Sequence, residues 1–439
     1  MIWRTRSPRT LSDSAAAPIG AAHLNRSTTS LGLQFDGRFT KFSDPACWDG
    51  QEHSLWLPSI TGNSQIGNFK VMNAIQRSID KLSLSGGGTH FLPSRRIGLK
   101  ESVIVRRGVT LRGNGTVGFD HTTPGINGGT IFEVRSSVEP AIILESGASI
   151  ADIGFDYPMQ VAAADQPIAT APTIKLGQAG FGGYDQSITG CTFYKSYCAI
   201  DARGSTLSKG PFSNLTISGN RGATLHSFLE LDYLADWGSF ASNNLNAGRI
   251  APLSLKEGLV RWVAREGAMF RIGGCDWLKL TDNQAWGYGT GVRIEGARGF
   301  HGSGPYTVEG NQFDACRTGI ELVGHFAQAI RLNRNVLCPF DAATGERGVA
   351  INAQDGVEID TIEVVGNHAF GPMHHFLWLG WGREHGGSQR VRMAKVFQND
   401  ARTEDSRGYG MTFGKIDRLL HKDNTMHGFA APASPTRRR

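Results

Sequence analysis

Acidic side chains two residues apart in strand-like phrases are the first sign of chemistry in this chain. FLELDY carries Glu230 and Asp232, MFRIGG carries Arg271, GVRIEG carries Arg293 and Glu295, and GIELVG carries Glu321. Aligning these phrases and CAIDARG on their apolar residues gives two outward columns. One contains Asp201, Glu230, Arg271, Arg293 and Glu321; the other contains Arg203, Asp232, Gly273, Glu295 and Val323. In a strand, residues i and i+2 share a face about 6.5–7 Å apart, and neighbouring strands lie about 4.8 Å apart. Paired carboxylates serve glycoside hydrolysis, with about 6.5–9.5 Å favouring inversion and about 5–5.5 Å retention. Interleaved arginines suit an acidic sugar, or the charge that develops in β-elimination. Glu230, Asp232, Glu295 and Glu321 are therefore candidate catalytic groups, and Arg271 and Arg293 candidate substrate ligands. A sheet face with alternating charge has the same pattern without any chemistry, so a non-catalytic solenoid stays open beside hydrolase and lyase.

Aromatic residues gather in the same half of the chain: Trp237, Trp262, Trp277, Trp286, Trp378 and Trp381, with Tyr233 and Tyr288 nearby. Several fall in turn phrases such as ADWGSF and QAWGYGTG, where rings offer an apolar face and a polar tip. Tyr233, Trp237, Trp286 and Tyr288 are accordingly expected to stack on sugar rings.

Positioning such columns requires stacked strands, and the sequence repeats in that way. Short phrases end in Asn at Asn220, Asn244, Asn283, Asn311, Asn335, Asn367, Asn399 and Asn424, and several are followed by a second strand phrase. An irregular repeat of roughly 20–50 residues with strand phrases predicts an all-β solenoid, a parallel β-helix of about ten coils. Asn suits the sharp turn because it tolerates left-handed backbone angles, and stacked amides can bond one another. Upstream, NFKVMNAIQRSIDKL (68–82) places Val71, Ile75, Ile79 and Leu82 on one helical face, suited to covering an exposed solenoid end. The expected organisation is an irregular leader and cap over 1–65, a solenoid over 66–425 and a basic tail over 426–439.

The series AIQRSID, GGGTHFLP and GVTLRGNG resembles the opening of the pectin-lyase-like right-handed β-helix proteins, in the branch of phage tailspikes and polysaccharide lyases and hydrolases. The match covers about 45 residues, and the aspartate-rich stretch that commonly precedes the helix is replaced by ITGNSQIGNF (60–69). The resemblance implies a polysaccharide ligand and, as in tailspikes, a homotrimer. HHFLWLGWG (374–382) supports an oligomer, because alternation places Phe376 and Trp378 on one face and Leu377 and Leu379 on the other. A strand apolar on both faces wants cover on both.

The family's reaction signatures are missing: there is no DD or GHG series, no RxPxxR and no DPHE-like stretch. No HExxH or CxxC occurs, and the adjacent His374 and His375 should point to opposite faces of a strand, so neither a metal nor another cofactor is implied. The six cysteines, Cys47, Cys191, Cys198, Cys275, Cys316 and Cys338, read as buried small hydrophobes rather than disulfides. A net charge of +6 without a basic patch interleaved with aromatics argues against nucleic acid. The N-terminal AAAPIGAA is shorter and more broken than a secretory core, and no run approaches a membrane span, so a cytoplasmic or phage-particle location is expected.

Overall fold

The computed structural model describes residues 54–56, 65–119, 125–177, 182–205, 210–251, 256, 258–297, 304–353, 357–380, 390–404 and 407–430. The expected leader falls almost wholly outside the described residues; its strand Ser54–Trp56 pairs in parallel with the strand at 89–91. From there the chain winds as a right-handed parallel β-helix. Each coil contributes a strand to a first, a second and a third sheet in turn, as in Gly238–Ala241, Asn244–Asn246 and Ala268–Cys275. The second sheet has 12 strands, so the solenoid is longer than the ten coils expected. The first and third sheets share the long strand Thr318–Asn333. Among the described residues, no helix is long and apolar enough to cross a membrane. The last second-sheet strand, Thr425–His427, and a bridge from Tyr409 to Ala430 carry the solenoid into the expected tail.

Inward positions repeat coil by coil. Leu229, Phe270, Val292, Ile320, Ile351 and Leu377 lie in register, each at most 1 % exposed where fully enclosed. Phenyl rings run through the same interior, with centroids 5.8 Å apart for Phe132–Phe155, 5.4 Å for Phe155–Phe193 and 5.8 Å for Phe193–Phe228 and Phe228–Phe270. At the entry to the third sheet two successive residues face inward, as Phe228 and Leu229 do. Phe376 is therefore core, fully buried beside Leu377, and Trp378 is the one large apolar side chain of that strand that faces out. The outward apolar face expected at 374–379 is absent, and with it the local argument for a covering subunit.

The bend between first and second sheets holds the coils together. Eight asparagines, Asn220, Asn243, Asn283, Asn311, Asn335, Asn367, Asn399 and Asn424, form a ladder in which each of the first seven donates Nδ2 to the Oδ1 of the next at 2.8–3.0 Å. Each Oδ1 also accepts the backbone N–H of the preceding Asn, and each second amide hydrogen goes to a carbonyl of the coil before, such as Leu280 O for Asn311. Cys191 stands at the next position down and donates its backbone N–H to Asn220. Two expectations change here. Asn243, not Asn244, is the ladder member; Asn244 is a half-buried second-sheet residue bonded to Gln284. The left-handed residue is the one before each asparagine, such as Ser242, Asp282, Arg334, Gln398 and Asp423, with φ of 52–57°.

Helix α1 (Gln65–Leu84) buries Val71, Ile75, Ile79 and Leu82 on the first coils. Gln76 completes the exposed strand edge: its Nε2 donates to Ile104 O at 3.0 Å and its Oε1 accepts Ile104 N–H at 2.9 Å, as a neighbouring strand would. His90, fully buried beneath α1, contacts Ser78 Oγ through Nδ1 at 3.1 Å, and burial lowers its pKa to about 4. Cys191, Cys198, Cys275, Cys316 and Cys338 are free and buried, as expected; Cys47 lies outside the described residues. His374 and His375 do not diverge. The register slips by one residue between Gly348 and Val349, and the two rings stack with Nδ1 atoms 3.2 Å apart.

Asn311→Ala should destabilise the fold by roughly 2–4 kcal/mol, because it strips acceptors from two buried donors of Asn283. Asn244→Ala should cost under about 1 kcal/mol; urea unfolding distinguishes them, and equal costs would contradict the ladder. Because His90 is held neutral below its unfolded pKa, its contribution is complete above about pH 6.5 and lost as pH falls towards 4. His90→Gln should therefore flatten the decline of melting temperature in that window relative to the parent chain.

Candidate functional site

The outward column of the third sheet is continuous. Lys175, Asp201, Glu230, Arg271, Arg293, Glu321, Asn352, Trp378 and Thr412 are successive register partners, which places the five residues aligned from sequence in adjacent coils. Glu295 follows two residues after Arg293 and pairs with Val323. Around the centre of this column lies a depression of ≈ 150 Å³ bounded by Arg203, Glu230, Asp232, Arg271, Gly273, Arg293 and Glu295.

Most charges in the column are already paired. Asp201 lies 3.1 Å from Lys175 and 3.0 Å from Arg203; burial opposes its charge, but Arg203 and Lys175 hold its carboxyl below the usual value. Arg293 spans Glu295 at 2.7 Å and Glu321 at 3.0 Å. Glu295 and Glu321 thus meet through one guanidinium, which fits a charge ladder between coils better than two free catalytic groups.

Glu230 differs. It is only 4 % exposed, and both its oxygens are held: Oε1 accepts Ser227 Oγ at 2.7 Å and lies 3.3 Å from His226 Nε2, while Oε2 lies 2.6 Å from Arg203. Such a carboxylate has one orientation. Asp232, two residues on, is exposed and accepts the Gly204 N–H at 2.8 Å, so the pair combines a fixed buried carboxylate with an accessible one about 6.5–7 Å away along the strand. Arg271, next to Glu230 in register, donates to Glu266 O at 2.8 Å and has no carboxylate partner among the described residues.

Several contributors were not legible from the strand phrases. Helix α2 (Gly258–Glu266), inserted between the second and third sheets, brings Glu266 to Arg271 and Trp262 beside the ring pair Tyr197–His226. Those two rings stack with centroids 5.0 Å apart. Burial, then the neighbouring Arg271, lowers the His226 pKa and favours a neutral imidazole next to Glu230. The one sequence signal was HSFLE, which sets a histidine four residues before the glutamate.

The aromatic expectations divide. Tyr288 is fully buried with its hydroxyl bonded to Thr224, and Tyr233 is 8 % exposed on the inward side of its strand, so neither offers a stacking face. Trp286 faces out of the second sheet opposite Asp314, away from the third-sheet column. Trp237 is exposed, at the bend beyond Asp232. Trp381 lies outside the described residues.

A second depression, ≈ 400 Å³, lies at the bend between the first and second sheets near Arg112, Asn114, Asp152 and Arg221. It is larger but offers one carboxylate, Asp152, already 2.9 Å from Arg112, and so lacks the pair that hydrolysis needs. No group of three or more metal-ligating side chains occurs among the described residues.

No family model matches the chain, and no curated protein matches it. Solved structures do. An exopolygalacturonase from Thermotoga maritima is similar with a TM-score of 0.50 and 11 % identity over 81 % of this chain and 88 % of its own. The tailspike of E. coli bacteriophage HK620 (TM-score 0.49, 13 % identity, 81 % and 62 %) and the A-module of the Azotobacter vinelandii mannuronan C-5 epimerase AlgE6 (0.43, 14 %, 83 % and 96 %) are also similar. At such identities the likeness to the exopolygalacturonase establishes the fold alone, a right-handed parallel β-helix.

Gly273 forms the floor of the depression because a Cβ there would meet Asp232 O at 2.3 Å, a backbone atom that cannot swing aside. Gly273→Ser should destabilise by roughly 1–3 kcal/mol, whereas Glu295→Ala, removing an exposed partner, should change stability by less than about 1 kcal/mol. Chemical denaturation compares them; a harmless Gly273→Ser would mean the coils are not in contact at that floor.

Proposed function

We propose that this protein cleaves an acidic polysaccharide at the outward face of the third sheet. The observation that carries the reading is Glu230, buried and fixed by Ser227, His226 and Arg203, beside the exposed Asp232 and the carboxylate-free Arg271. Surface ion pairs contribute little to stability, and holding one glutamate by three partners exceeds what a solvated sheet face needs. Arg271 binds a sugar carboxylate or other anionic substituent. Asp232, open to solvent, exchanges a proton with the leaving oxygen or with water, and Glu230 supports the opposite side of the reaction. Their separation of about 6.5–7 Å lies at the inverting end of the hydrolase range. Elimination uses the same cation to stabilise charge developing beside the sugar carboxylate. The polysaccharide-acting proteins among the structural neighbours support the carbohydrate class and do not choose the reaction.

A binding solenoid without turnover is the second reading. The ion pairs Lys175–Asp201 and Arg293–Glu321 favour it, because they make much of the column a charge ladder. The oligomer expected from the resemblance belongs to this reading as well, since tail components assemble.

Glu230→Gln and Asp232→Asn should each reduce depolymerisation of an acidic polysaccharide by roughly 10²–10⁴-fold while leaving the fold intact. Glu321→Gln should stay within a few-fold. New reducing ends without ultraviolet absorbance select hydrolysis; unsaturated, absorbing products select elimination. Absence of turnover across pectic, alginate and bacterial capsular substrates, with glycan affinity indifferent to both substitutions, would leave the binding reading.

A further inference from the structure

Two indoles at the bend between the third and first sheets are explained by neither the core nor the backbone. Trp237 and Trp277 hold the same position in consecutive coils, each directly before a first-sheet strand whose leading residues, Gly238 and Leu278, are register partners. Gly238 N–H donates to Trp277 O, so their backbones stack one coil apart. The rings are largely in water, Trp237 51 % and Trp277 62 % exposed.

The backbone sharpens the point. In the two preceding coils this position is held by Asp185 and Asn214, left-handed at φ 54° and 53°. Asp and Asn enter that region readily, whereas for a bulky residue it is an outlier. Trp277 adopts it nonetheless, at φ 57°. A tryptophan that strains its backbone without burying its ring is one whose ring is wanted outside.

The surroundings indicate what it meets. On the outward face of the first sheet beside the indoles, Thr216, Ser239, Lys279 and Thr307 form one column, and Ser218, Ala241, Thr281 and Glu309 the next. Five of these eight, Thr216, Ser218, Ser239, Thr281 and Thr307, carry short hydroxyls that make a low polar floor, without the apolar centre that protein interfaces bury. Lys279 Nζ lies over one face of the Trp237 ring, 4.7 Å from its centroid, and holds that ring in place while half of the residue stays exposed. A flat apolar face edged by hydroxyls matches a pyranose ring, which has C–H groups on its faces and hydroxyls at its rim.

We infer that Trp237 and Trp277, with the Ser239–Lys279–Thr307 column, form a second carbohydrate subsite, across the bend from the Glu230 depression, that holds a long glycan chain away from the reacting bond. This rests on the carbohydrate reading but not on turnover. The indoles grip sugar rings while the depression handles charge, so the subsite contributes retention of polymer and leaves short substrates unaffected.

Affinity electrophoresis of the full chain through gels containing polygalacturonate, alginate or neutral galactan tests it, together with melting temperature and turnover of a short oligosaccharide. Trp277→Asn restores the residue type that the turn favours, so its melting temperature should equal or exceed the parent's while retention by at least one polymer falls about 5–10-fold. Trp237→Ala should weaken retention similarly, and Trp277→Asn should keep parental turnover of the short substrate. Unchanged retention in both variants, a lowered melting temperature for Trp277→Asn, or no retention of the parent chain by any of the three polymers would overturn the subsite. Tryptophan-dependent retention in a chain without turnover would remove the catalytic reading and leave the subsite standing.

Discussion

Everything on the outer walls of this protein depends on one line of amides inside it. From Asn220 to Asn399 each side-chain amide donates to the next ladder asparagine and to a carbonyl of the coil before, while the Oδ1 atoms from Asn243 to Asn424 accept the backbone N–H of the preceding ladder residue. A buried amide left unsatisfied costs more than a satisfied one contributes, so the ladder tolerates neither a slip of one residue nor a coil of different height. The loops between coils vary widely, with successive ladder members 23 to 40 residues apart, yet the strands stay in register. That invariance is what turns a charge alternation in sequence into a column in space.

The site exploits a break in that column. Above and below, opposite charges meet between coils: Lys175 with Asp201, Arg203 with Glu230, Arg293 with Glu321. Between Glu230 and Arg271 the pairing lapses, because helix α2 draws the Arg271 guanidinium to Glu266 O. The result is a carboxylate anchored on one side of a depression and a cation with spare donors on the other, above a floor that only glycine fits. An inserted loop, not the repeat itself, creates the asymmetry, in keeping with loops on a rigid scaffold carrying function.

How much was legible in the sequence follows from which interactions are periodic. The Asn repeat, the strand phrases and the helix at 68–82 gave away the fold, since each reflects a contact made once per coil, and the column of Asp201, Glu230, Arg271, Arg293 and Glu321 aligned because inward residues impose a period of two. Errors arose wherever the period breaks. ASNN offers two asparagines, and only the left-handed turn at Ser242 decides that Asn243 enters the ladder. Strict alternation sent Phe376 outward and separated His374 from His375, but a double inward step and a one-residue slip reverse both. Tyr233 and Tyr288 looked like loop aromatics beside Trp237, yet both pack inward. The Tyr197–His226–Trp262 cluster draws on three segments distant in sequence, and no local pattern announces it.

The most direct test of the account is a crystal structure of the Glu230→Gln chain with an acidic oligosaccharide. The account predicts a sugar carboxylate on Arg271 and a glycosidic oxygen within hydrogen-bonding reach of Asp232, with the chain running across the third-sheet depression. An oligosaccharide seated instead between Arg112 and Arg221, or one that leaves Arg271 bonded only to Glu266 O, would contradict it.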